Sequence, residues 1–305
     1  MEALTTIVTL FLLIGLGWFA HRRGFIPPEF LGPANRLTYY FAIPALLFRA
    51  VSKASLKEEF QGGVLLATLA SAALVYVGVW VVCRRLKLSA ARAGTMVQSS
   101  AHGNLGYIGL PFAFYFLGEP GLIKAGIIAG FLMILQNVMS VSILYSFSTG
   151  QAEGGKWGRL LTNPVILSSM AGIAFSGFGI GLPQVLARAL DMLGGLAPPM
   201  ALLLIGASIS FGKMRLNFRP VMISSFIKLL LLPAIGLTIY RAFGLVEADF
   251  LPGLILLASP TATVAYIMAQ EMNGDTDLAS ETISASTLFS GVTYLLWLTL
   301  VPGTP

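Results

Sequence analysis

Two stretches of the chain set polar and backbone-loosening residues inside runs that carry no charge. The first is residues 99–111, SSAHGNLGYIGLP, and the second is residues 258–266, ASPTATVAY. Glycine weakens a helical ladder through its conformational freedom, and proline through its missing N–H. In apolar surroundings, unwound backbone survives only where it is buried in protein or lines a watery cavity. Each break also creates a fresh helix N-terminus, whose free N–H groups and positive dipole end suit an anion such as a carboxylate. Candidate substrate-binding positions are therefore His102, Gly103, Asn104 and Tyr107 in the first stretch, and Pro260, Thr261, Thr263 and Ala265 in the second. Asn104 offers an amide donor that meets a carboxylate without bringing in a buried charge. Glycine-rich helices also serve plain close packing. Two interruptions at matching positions favour a binding site where the broken helices cross.

Three further groups lie inside apolar runs. Gln136 and Asn137 sit in the middle of residues 125–152, where amides either bond between helices or face a cavity, and the cavity is expected here. Lys228 interrupts residues 220–243; it is either a coupling residue or a cap on the exposed carbonyls of a broken helix. His102 is the side chain at the broken centre whose ordinary pKa, about 6.5, lies near neutral pH, which makes it a second coupling candidate.

Other chemistries find little support. A single cysteine, Cys83, excludes a disulfide framework, and two histidines, His21 and His102, leave little for a metal or haem, so neither metal nor cofactor is expected. An intramembrane enzyme is the rival from another class, with Ser99 or Ser100 as nucleophile and His102 as base. Residues two apart on a helix point to different sides, however, and neither G-x-S-x-G nor H-E-x-x-H occurs, so no catalytic residue is assigned. The net charge of +6 is spread over short loops rather than gathered in a basic domain, which argues against nucleic acid.

The elements that must position these residues follow from composition. The chain is 56% hydrophobic and 10% charged, far from the quarter or so charged residues of soluble proteins. Residues 3–20, 60–83, 93–118, 125–152, 160–187, 192–212, 250–270 and 282–305 contain no Asp, Glu, Lys or Arg. Nearly all reach the length that crosses a bilayer. Residues 31–50, flanked by Arg36 and Arg49 that can snorkel, and residues 220–243 add two more. The expected fold is an all-α integral membrane protein of ten transmembrane helices. Lys and Arg number twelve in the odd loops and six in the even ones, which places both termini outside the cytoplasm and residues 150–159 inside it. Ser100 to Tyr107 in the fourth span parallels Ser259 to Tyr266 in the ninth, and Pro44-Ala-Leu-Leu parallels Pro199-Met-Ala-Leu-Leu. Five spans per half is odd, so two inverted five-helix repeats result, residues 1–148 and 161–305, joined by a cytoplasmic linker at 149–160.

Residues 103–111, GNLGYIGLP, resemble the fourth-span motif of the auxin efflux carrier family, which includes plant PIN-type exporters and bacterial relatives. Residues 260–273, PTATVAYIMAQEMN, and 40–48, YFAIPALLF, resemble its ninth- and second-span motifs. The resemblance implies a fold shared with bile acid:sodium symporters, with a scaffold of spans 1, 2, 6 and 7 and a transport domain of spans 3–5 and 8–10. It implies an elevator-like carrier of small organic anions such as indole acids, malate or malonate in the cell membrane, with a homodimer through the scaffold. Gly103 and Ala265 stand where plant members usually have proline, and the long cytoplasmic loop of plant exporters is missing. The sodium-coupled relatives place an acid at the ninth-span crossover, and Thr261–Val264 offer none, so transport is expected to be independent of sodium; a sodium-coupled symporter is the alternative.

Overall fold

The computed structural model describes residues 2–53, 59–86, 88–147, 163–209 and 217–301. The expected linker at 149–160 and the C-terminal residues beyond 301 lie outside them. The described chain is nearly all helical. Its helices are α1 (Glu2–Arg22), α2 (Pro28–Leu37), α3 (Ile43–Lys53), α4 (Gly62–Arg85), α5 (Ala90–Ala101), α6 (Leu110–Phe147), α7 (Pro164–Gly177), α8 (Gln184–Gly195) and α9 (Ala197–Ala207). They continue with α10 (Phe218–Phe226), α11 (Leu232–Ala242), α12 (Glu247–Ala258), α13 (Val264–Glu271) and α14 (Thr276–Thr299). Five continuous helical stretches are long and apolar enough to cross a membrane: Ala3–Arg22, Gly62–Arg85, Leu105–Phe147, Gln184–Ala207 and Phe218–Ala242.

One of these exceeds a single crossing. Leu105–Phe147 holds 43 residues, which at 1.5 Å per residue is roughly 65 Å, about twice the hydrocarbon core. The stretch is broken at Gly118, where φ is 71° and ψ is −165°. Only glycine adopts that backbone cheaply, and Pro120 follows two residues later. The break lies at the end of the charge-free run 93–118, before the next run begins at residue 125.

Proline has a second, repeated effect. Three widened π turns, Thr38–Ala42, Leu105–Gly109 and Ile227–Leu231, each end two residues before a proline, at Pro44, Pro111 and Pro233. A proline has no N–H to donate, and its ring crowds the carbonyl four residues back. Adding a residue to the preceding turn lets the next N–H reach five residues back instead, as Leu110 N does to Leu105 O. The N–H after each turn thus keeps a backbone acceptor, as an apolar layer demands.

Packing depends on small residues and on buried polar ties. α1 and α9 meet backbone to backbone: Gly17 lies against the Leu203 carbonyl, and Gly206 against the Ile14 carbonyl and the Trp18 amide, which glycine alone permits. Arg49 on α3 pairs with Asp191 on α8 at 2.9 Å. Lys124 pairs with Asp249 at 2.7 Å, and Arg92 donates to Asn217 Oδ1 at 2.6 Å while lying 3.7 Å from Asp275. On the outer faces, side chains such as Leu12, Val185, Met192 and Val292 are exposed, which suits a lipid environment rather than water.

Candidate functional site

The two interruptions are joined to each other. α5 stops at Ala101, and α12 at Ala258; both chains then run extended for a few residues, with ψ of 100° at His102 and 143° at Ser259. Asn104 N donates to Pro260 O at 2.7 Å, and Ala262 N donates to His102 O at 2.9 Å. These two bonds make an isolated antiparallel bridge between Gly103 and Thr261, the one extended pairing among the described residues. Thr261 is held further by its N–H on Ser286 Oγ at 3.1 Å and by its hydroxyl on Ser99 O at 2.7 Å. The backbone groups freed by glycine and proline thus find partners in the opposite break or the last helix.

Gly103 is needed here for space. A Cβ on it would lie 2.6 Å from Ser259 Oγ and 3.2 Å from Lys228 Nζ. Lys228, fully buried, donates to Leu257 O at 2.7 Å in the last turn of α12. Of its two sequence readings, the contact in the structure is the capping one: a cation at the negative end of a broken helix.

Asn104 starts the π turn Leu105–Gly109. Its Oδ1 accepts from Tyr107 N at 3.2 Å, and this fixes the orientation of the amide, because only the oxygen can accept. Its Nδ2 is buried and has no partner. A buried donor left unmet costs about 1–3 kcal/mol, so it calls for an acceptor.

A cavity of about 750 Å³ opens beside the junction. Of the expected positions, His102, Gly103, Asn104, Tyr107, Gln136, Asn137 and Thr263 line it. Pro260, Thr261 and Ala265 do not: the first two are spent on the bridge, and Ala265 is fully buried in packing. Lys228 also stands behind the bridge rather than in the cavity. Asn137 reaches the cavity wall but donates to Met133 O of its own helix at 2.8 Å. His102 Nδ1 lies 2.9 Å from Ser140 Oγ, which is 2.9 Å from the Tyr76 hydroxyl, so its ring is tied into a buried chain of hydroxyls.

Residues beyond the sequence candidates come from α2, the π turn after it and the residue before α7. Asn35, Arg36, Tyr39 and Asn163 line the same cavity. Arg36, which its place at the edge of an apolar run suits to snorkelling, lines the cavity instead and has no ion-pair partner among the described residues. The signal was present in its position, two residues before the Thr38–Ala42 turn in an apolar run. What the sequence does not show is that this segment packs against the break after Ala101, where Tyr107 Oη donates to Asn35 O at 3.2 Å.

Comparison with known proteins gives one family. The profile of a family described as "Membrane transport protein" matches residues 2–158 and 154–298. The chain is 27% identical over 303 residues to a protein of Rhizobium meliloti (strain 1021) named "Putative malonate transporter", an alignment covering 96% of this chain and 94% of that one. It is 25% identical over 304 residues to an "Uncharacterized transporter" of Methanothermobacter thermautotrophicus, covering 97% and 98%. With the resembling motifs at residues 40–48, 103–111 and 260–273, the chain belongs to this membrane transport protein family, that of the auxin efflux carriers, and is a membrane transporter rather than an enzyme.

Proposed function

We propose that the protein is a secondary carrier of small carboxylates, with the substrate held in the cavity beside the two broken helices. The observation that carries this reading is the Asn104 amide, a buried donor without a partner on the cavity wall. Arg36 adds a cation on the opposing segment, and a side chain of this kind binds a carboxylate through paired N–H groups. Two donors on different elements fit a dicarboxylate that bridges them. The name of the Rhizobium relative agrees with that choice, although it speaks for that protein alone.

The ten-span reading fits around this site. Spans 1, 2, 6 and 7 are then α1, the α2–α3 segment, α7 and the α8–α9 segment; α4, α5 with the first part of α6, the rest of α6, the α10–α11 segment, α12–α13 and α14 make the other six. Arg36 belongs to the scaffold and Asn104 to the transport domain, so a substrate bridging them binds at the boundary across which an elevator movement slides. Both termini lie outside the cytoplasm in this arrangement, the two halves are inverted repeats, the cell membrane is the site of action, and two copies pair through their scaffolds.

The test is uptake into proteoliposomes of malonate, malate and an indole acid, paired with thermal stability of the purified protein in each. A ligand that binds the native state raises the melting temperature by mass action. Malonate and malate are expected to stabilise and to be taken up saturably, and Arg36→Gln to lose the preference for them over the monocarboxylate. Absence of both stabilisation and saturable uptake with every carboxylate overturns the reading.

A further inference from the structure

Behind the bridge, away from the cavity, a second group of buried polar atoms has no assigned role. Three helices, α5, α10 and α14, start at one level. Arg92 near the start of α5 donates to Asn217 at the head of α10 and lies 3.7 Å from Asp275 at the head of α14, while Asp275 N donates to Thr95 Oγ1 at 2.9 Å. The same helices meet again deeper in. Gly103 is bridged to Thr261, Thr261 N bonds Ser286 Oγ on α14, and the place of a Gly103 Cβ is 3.2 Å from Lys228 Nζ, two residues past the end of α10. Their registers are therefore fixed at both ends.

Between the two ties, each helix carries side-chain oxygens without a partner. They are Ser99 Oγ on α5, Ser224 Oγ and Ser225 Oγ on α10, and both carboxylate oxygens of Glu281 on α14. Ser99 lies four residues before Gly103, Ser224 four before Lys228, and Glu281 five before Ser286, so all stand within about a turn of one depth. Glu281 is 3% exposed, and the three serines are at most 2%. No cation among the described residues neutralises Glu281: Arg92 is held by Asn217 and Asp275, and Lys228 donates to Leu257 O. A buried carboxylate without partner or counter-charge is strongly unfavourable, and charges at such depth are paired or bind ions.

We infer that Glu281, with the hydroxyls of Ser99, Ser224 and Ser225, forms a site for a sodium ion. The donor set is all hard oxygen, which excludes a soft metal and suits an alkali cation. One carboxylate balances one positive charge, where a divalent ion would ask for more. The expectation of sodium independence rested on the crossovers, which hold no acid; Glu281 lies on the last helix, outside them. A cation here would hold α5, α10 and α14 together directly under the bridge.

The test needs no substrate, so its outcome is separate from that of the carboxylate reading. The melting temperature of the purified protein is followed against NaCl, KCl and choline chloride at constant ionic strength, at pH 7 and 8. Sodium is expected to raise it saturably by several degrees, choline not at all. Glu281→Gln, isosteric and uncharged, should abolish the sodium response, and Ser224→Ala should raise the sodium concentration at half-effect by about tenfold or more. A wild-type curve indifferent to sodium overturns the proposal, as does a sodium response that survives in Glu281→Gln. A stability that changes with pH but not with sodium equally overturns it.

Discussion

Replacing Asn104 by alanine removes two things at once, and the structure separates them. Oδ1 caps the turn that begins at Leu105 through its bond from Tyr107 N, and Nδ2 waits unpaired at the cavity. Loss of an N-cap costs about 1 kcal/mol of stability. Loss of a hydrogen bond to a charged group costs about 1.5–3 kcal/mol, which at 1.4 kcal/mol per factor of ten is roughly a 10- to 150-fold rise in Kd. Serine is as good an N-cap as asparagine but has no amide to extend into the cavity. Asn104→Ser should therefore keep the melting temperature of the ligand-free protein close to wild type while losing nearly as much malonate affinity as Asn104→Ala. Isothermal titration supplies the Kd, and a thermal scan without ligand supplies the stability. Wild-type affinity in Asn104→Ser would show that Nδ2 does not meet the anion, and Asn104 would then be a helix cap and nothing more.

Two further outcomes follow from other parts of the fold. Gly206→Leu should destabilise by about 1–3 kcal/mol or prevent folding, because its side chain would enter the α1 backbone at Ile14 and Trp18; Gly15→Leu, with open space around it, should be tolerated, and equal melting temperatures for the two variants would refute the backbone contact. Cysteines introduced at residues 150–159 should be labelled only from the cytoplasmic side and a tag after Pro305 only from outside, since loop positives favour that orientation twelve to six; the reverse pattern would overturn the proposed topology.

The sequence by itself determined the local events. Missing charges marked the apolar runs, and glycine and proline marked where a helix cannot continue, because both act through the backbone of their own segment. The fourth-span break, the turn at Gly118 and the ending of α12 at Ala258 all belong to this class. The sequence also put Asn104 at the break, between glycines that loosen its backbone; that its Oδ1 caps the turn after it is a contact the structure added.

Tertiary structure alone decided which side chains share a space. Thr261 and Thr263 look alike in sequence, yet one is consumed by Ser99 and Ser286 while the other faces the cavity, because the bridge to Gly103 rotates them apart. Lys228 reads as an intramembrane charge, and only the approach of α12 supplies the Leu257 carbonyl that it caps. Arg36 becomes a cavity residue because its segment meets the break at Asn104–Tyr107, where Tyr107 Oη donates to Asn35 O, and Glu281 is buried with both carboxylate oxygens unpartnered, which no local pattern announces. Helical period and charge count describe each segment against its own axis. Contacts between segments far apart in the chain depend on how those axes are set against one another, and the chain carries no local mark of that.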